Sequence, residues 1–161
     1  MMISMNVIVV IVDFEKIDMT EKELNLLDRF ASKYKIDCVP SEGKYDFWDF
    51  TYEWDNRKFY CEMKQRNFTL DTAKSKYPEG LILEMHKYER ILRKTKNEKA
   101  SQGLYINFFT CDSVLVFNLN KTRINNWVWR TMPESTDFGR KSYVYKYITL
   151  LEYDKGKVLY I

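Results

Sequence analysis

Leu24, Leu27, Ala31 and Tyr34 recur at helical spacing behind a Thr20-x-x-Glu23 capping signature, which predicts an amphipathic helix over about residues 21–34. Before it, "MNVIVVIVDF" is a continuous apolar run and predicts a strand. After it, "YDFWDFTYEW" and "RKFYCEMK" are aromatic-rich runs separated by the turn-prone pair Asp55-Asn56, which predicts a β-hairpin. Pro78 near a helix start, with Leu81, Met85, Tyr88 and Leu92 at helical spacing, predicts a second helix reaching about Lys96, its outer face basic. "GLYINFFT" and "SVLVFNLN" read as two strands around Cys111-Asp112, followed by a short helical turn at Thr122–Asn126. "SYVYKYITLLEY" and "KVLYI" read as a closing hairpin around Asp154–Gly156.

The order is β-α-β-β-β-α-β-β plus a terminal hairpin, for which a mixed sheet with helices packed on it is the economical architecture. A length of 161 residues fits one domain with a core of its own, and no repeat or Gly/Ser linker divides it. The 16% aromatic content, with 5 Gly and 3 Pro, excludes collagen-like and disordered classes.

Charge changes the picture more by its distribution than by its sum of +3. Residues 1–60 carry eight Lys/Arg against twelve Asp/Glu, and the remainder eighteen against eleven, so the later part can face a polyanion. The three cysteines, Cys38, Cys61 and Cys111, are far apart and odd in number, which argues against a disulfide framework or zinc site and for a reducing cytoplasm. The apolar start is too short to span a bilayer and runs into Asp13 and Glu15, so neither signal peptide, anchor nor membrane partner is expected.

One stretch breaks the pattern. In "FYCEMKQRNF", Phe59 to Phe68, an apolar strand ends in charge, and the period of two puts Glu62 and Lys64 on one face. Taking a carboxylate or ammonium out of water is costly without a partner. The preceding strand brings Asp46 and Asp49 alongside, so two carboxylates and an ammonium converge at one sheet edge. Two carboxylates leave most of an octahedral Mg²⁺ (or Mn²⁺) shell open to water and phosphate oxygens, and a lysine beside them can orient the attacking water. This is a phosphodiesterase layout. A two-residue turn at Asp55-Asn56 sets Asp49 across from Glu62; a three-residue turn or a bulge puts Asp46 on that face instead.

Asp46 followed by Glu62-Met63-Lys64 resembles the PD-(D/E)xK nuclease superfamily, which includes Holliday-junction resolvases, restriction endonucleases and repair nucleases. The resemblance implies an α/β fold with a restriction-endonuclease-like αβββαβ core over about residues 20–120 of a single 1–161 domain. The extra N-terminal strand and the C-terminal β-hairpin flank that core. It implies Asp46, Glu62 and Lys64 as catalytic residues, with Asp46, Glu62 and the Met63 carbonyl on the metal. Asp46 is preferred to Asp49 because it begins its strand just after Gly43, where the family's aspartate sits. Some members add a glutamate from the first helix, for which Glu23 is the candidate, although the capping box accounts for it equally. A second E-x-K, Glu42-Gly43-Lys44, falls in a turn and is set aside.

The expected activity is Mg²⁺-dependent hydrolysis of phosphodiester bonds in DNA, branched DNA included. The rival reading is an inactive module keeping the fold to bind nucleic acid or protein. Gln65, Arg66, Lys87, Arg90 and Lys94 are the expected nucleic-acid contacts. His86, the only histidine, is read as a helix residue rather than a base. Resolvases of the superfamily act as dimers, and the strand at Asn6–Val12 or the terminal hairpin can pair across such an interface. Lysines outnumber arginines 18 to 8 and alanines number 3, which suggests an AT-rich coding source, and small proteins of this kind resemble phage-encoded nucleases.

Overall fold

In a computed structural model, residues 19–42, 47–134 and 142–161 are described. The elements are α1 (Glu21–Tyr34), β1 (Val39–Pro40), β2 (Phe50–Trp54), β3 (Arg57–Gln65), α2 (Leu70–Lys76), β4 (Leu81–Glu84), α3 (Met85–Asn97), β5 (Ser101–Phe108), β6 (Ser113–Asn118), β7 (Val128–Pro133), β8 (Tyr143–Leu151) and β9 (Lys157–Tyr160). They build an α/β architecture with a six-stranded sheet ordered β1-β2-β3-β5-β6-β9 and a three-stranded sheet ordered β4-β8-β7. The larger sheet is mixed: β3 and β5 run parallel, and its other pairs are antiparallel. The succession α1-β1-β2-β3-α3-β5 follows the expected αβββαβ order, with α2 and β4 inserted before α3.

Local chemistry explains the elements that the chain pattern predicts. Thr20 and Glu23 form the reciprocal capping box that starts α1, and Lys35 in the left-handed region ends it. Asp55 and Asn56, with φ of 52° and 57°, make the two-residue hairpin turn whose twist suits the flanking strands. Alternation in β3 then divides the core. Phe59, Cys61 and Met63 join Leu27 and Phe30 of α1 in one apolar layer, while Tyr60 enters the opposite layer with Ile91 of α3. At Gly103 of β5 a Cβ would collide with the Ile91 side chain, so this glycine lets α3 lie close on the sheet.

Four expectations are corrected. Leu81–Glu84 is a strand, not helix: Leu81 and Leu83 alternate inward and pair with β8, and the helix starts at Met85. β8 and β9 do not form a hairpin. β8 pairs with β4 and β7, a short turn at Tyr153–Lys155 redirects the chain, and β9 closes the edge of the larger sheet against β6. Thr122–Asn126 is not helical: the Thr122 amide closes a single turn on the Asn118 carbonyl, and the chain beyond it does not continue that turn. Phe47–Asp49 form a bend before β2 rather than part of the strand. The expected strand at Asn6–Val12 lies outside the described residues. No helix among the described residues is long and apolar enough to cross a membrane.

Candidate active site

The even positions of β3 turn Glu62 and Lys64 toward α3, and the hairpin brings a second carboxylate to them. Phe50 pairs with Cys61, so Asp49 falls opposite Glu62 just before β2 begins. Two bonds hold it there: its amide donates to the Cys61 carbonyl at 2.8 Å, and its Oδ2 accepts the Met63 amide hydrogen at 2.7 Å. The turn is thus the two-residue kind, the register that puts Asp49 beside Glu62. Asp46 lies outside the described residues.

Glu62 is buried, its side chain only 4% exposed, and two lysines compensate it. Lys87, from the first turn of α3, donates to Glu62 Oε1, and Lys64 Nζ lies 3.7 Å from the same oxygen. Burial, and then the Glu62 charge, push the Asp49 carboxyl up to about 7, against the pull of the Met63 amide and the two lysines. Burial opposes the charge on Lys87, but Glu62, by charge and hydrogen bond, with Asp49 behind it, holds that ammonium well above its ordinary value. Lys64 moves the other way, lowered by burial and by the Lys87 charge against the attraction of Glu62 and Asp49. The two ammoniums therefore differ in character: Lys87 is a fixed counter-charge, and Lys64 releases its proton more readily.

Beside this cluster runs a polar network that the chain pattern alone does not reveal. In the parallel register of β3 and β5, Tyr105 neighbours Glu62 and Asn107 neighbours Lys64. Arg66 turns its guanidinium back onto the sheet, donating to Asn107 Oδ1 from Nε at 3.0 Å and from Nη2 at 2.8 Å, and to the Tyr105 hydroxyl at 3.0 Å. Tyr105 in turn donates to the Ile82 carbonyl at 2.9 Å. Asn107 is fully buried, and its Nδ2 has no hydrogen-bond partner among the described residues. The signal for it in the sequence is an asparagine inside the apolar run "LYINFF". The link from Lys87 to Glu62 has no such signal.

The remaining candidates are dispersed. Glu23 belongs to the capping box of α1, on the helix that covers the opposite face of the sheet. Gln65 ends β3, half-buried. Arg90 stacks over Phe47, 3.9 Å from the ring centroid, and Lys94 pairs with Glu98 at 2.9 Å while lying 5.6 Å from the Trp48 ring. His86 Nδ1 lies 3.3 Å from Glu84, lowered by burial in the first place and by the surrounding Lys87, Arg90 and Lys146 charges.

The donor set suits a hard cation. Asp49 keeps Oδ1 and Glu62 keeps Oε2 outside the bonds just described, and both line a cleft of about 160 Å³ with His86, Lys87 and Arg90. The Met63 carbonyl points to the same side as its amide, toward Asp49, because both polar groups of a strand residue face one neighbour. Two carboxylates and a carbonyl are all-oxygen ligands, and Mg²⁺ typically keeps water in its other positions. No group of three or more His, Cys, Asp or Glu side chains among the described residues could form a richer site.

No family model and no curated protein matches the chain. Among solved structures it is similar to Archaeoglobus fulgidus Hjc, a Holliday junction resolvase from an archaeal hyperthermophile, with a TM-score of 0.49 and 13% identity over 83% of this chain and 90% of that one.

Proposed function

We propose that the chain is a Mg²⁺-dependent endonuclease acting on DNA. The observation that carries this reading is the convergence of Asp49, Glu62 and Lys64 at one end of the β2–β3 hairpin, the two carboxylates lining one cleft with Lys87, and Lys64 lining the adjoining groove. Asp49, Glu62 and the Met63 carbonyl would hold the ion, which when bound polarises the phosphate and lowers the pKa of a coordinated water. Lys64 stands where it can orient the attacking water and stabilise charge gathering on the phosphate oxygens. Lys87 pairs with Glu62 and fixes its orientation. Arg66 braces the sheet behind Lys64 through Asn107, and the exposed cations Arg90, Arg93 and Lys96 of α3 serve the phosphate backbone.

One observation favours a second reading. Lys87 and Lys64 between them neutralise Glu62 without any metal, as they would in an inactive module that kept the fold for binding. Two measurements separate the readings. Mg²⁺ or Mn²⁺ should raise the melting temperature of the wild type and not of Glu62→Gln. Wild type should also cleave DNA, and Lys64→Ala should lose cleavage while binding DNA nearly as well, because one ammonium among many contributes little to affinity. No metal-dependent stabilisation and no cleavage of any DNA or RNA would overturn the nuclease.

A further inference from the structure

β8 leaves the core as it is followed backward. Its odd positions are buried at Leu151 and Thr149, half-buried at Tyr147 and open at Tyr145 and Tyr143, which are 76% and 65% exposed. β7 adds Trp129 to the same face, paired with Tyr147, stacked on its ring with centroids 5.0 Å apart and itself 68% exposed. A single exposed aromatic needs no explanation, but a row of them on one sheet face does. The row joins the candidate site. Trp129, Tyr145 and Tyr147 line a groove of about 790 Å³ whose other residues include Lys64, His86 and Lys87, the last two shared with the carboxylate cleft.

Resting on the nuclease reading, we infer that this face is a stacking platform that holds an unpaired DNA strand leading into the cleft, so that the substrate carries single-stranded bases beside the scissile phosphate. Three features argue for this occupant. Alternate strand residues repeat at about 6.6–6.8 Å, roughly twice the 3.4 Å rise of a stacked duplex strand, so successive tyrosines suit bases splayed along an extended strand. A duplex buries its base faces and offers the rings nothing to stack on. The groove also places cations where the strand would meet the carboxylates: Lys64 and Lys87 stand at that end, while Lys146, on the other face of β8, is already paired with Glu84 at 2.9 Å, and Glu89 and Glu134 line the groove farther along.

The test is fluorescence anisotropy in EDTA with a labelled oligothymidylate and a duplex of equal length. Trp129→Ala with Tyr145→Ala should weaken single-strand binding by about tenfold or more and change duplex binding by less than about twofold, while Trp129→Phe with Tyr145→Phe retains single-strand binding. Both side chains are exposed, so melting temperatures should stay level. Single-strand affinity unchanged in the alanine pair would overturn the platform. So would sedimentation showing a wild-type dimer that the alanine pair dissociates, which would make the face a self-interface. Cleavage measured in parallel with Mg²⁺ keeps the two readings apart: cleavage without ring-dependent strand binding removes the platform alone, and ring-dependent binding without cleavage removes the nuclease and upholds the stacking face.

Discussion

The carboxylate of Asp49 accepts the backbone amide hydrogen of Met63 at 2.7 Å, which ties the bend before β2 to the strand that carries Glu62 and Lys64. An asparagine can accept the same bond through its carbonyl oxygen but is a poorer ligand for a hard cation. Asp49→Asn should therefore fold as the wild type does, with a similar melting temperature in EDTA, yet lose metal-induced stabilisation and cleave DNA slower by orders of magnitude. Asp46→Asn is the matched control. If it is the one that abolishes cleavage, the register assignment fails.

Removing Lys87 should be costly because it leaves Glu62 buried with only Lys64 nearby. Lys87→Met is expected to destabilise the metal-free protein by about 1–3 kcal/mol, below the usual cost of breaking a fully buried pair because one ammonium remains. Adding Glu62→Gln should restore most of the loss. Urea denaturation of the two single variants and the double variant measures the coupling, and simple additivity would show that the pair does not interact.

Gly103 and Ile91 define how closely α3 approaches the sheet. Gly103→Ala places a methyl group against Ile91 and should destabilise by about 1–3 kcal/mol. Ile91→Leu removes the methyl that obstructs it, so the double variant should be more stable than the sum of the single effects predicts. Thermal or chemical unfolding of all three decides this.

The cations of α3 should act together and without regard to sequence. Arg90, Arg93 and Lys96 are exposed on its outer face. Reversing all three should weaken DNA binding and flatten the dependence of log K on log salt by about three. An unchanged slope would remove this helix from the interface.

The cysteines should react in order of exposure. Cys111 is exposed, Cys38 is half-buried with its thiol pushed up to about 12 by burial and by Asp37 and Asp28, and Cys61 is fully buried, its thiol raised well above the ordinary value by burial and its neighbours Cys38 and Asp49. An alkylating reagent at pH 8 should label Cys111 quickly, Cys38 slowly and Cys61 only after unfolding. Mass spectrometry of peptides from a time course reads this directly, and prompt labelling of Cys61 would contradict the packing of β3 under α1.

Where structure depends on near neighbours in the chain, the sequence determines it by itself. The capping box starts α1, the Asp55-Asn56 pair can form a tight hairpin turn, and alternation along "FYCEMK" puts Glu62 and Lys64 on one face, because each rests on backbone preferences or side-chain period within a few residues. Tertiary structure decides what depends on the choice of partner. Leu81–Glu84 has apolar residues compatible with a helix and becomes a strand because β8 is there to pair with it; β8 and β9 read as a hairpin and separate because β8 pairs on both sides, with β4 and β7, while β9 pairs with β6 in the larger sheet. The site divides along the same line. Glu62 and Lys64 are legible in the chain, whereas Lys87, 25 residues away, reaches Glu62 only when α3 packs on the sheet, and Asn107 comes beside Lys64 and within reach of Arg66 only through the parallel pairing of β3 with β5. Burial selects these pairings: a charged or polar group taken out of water must find its complement, and which complement it meets is set by how the layers stack rather than by spacing along the chain.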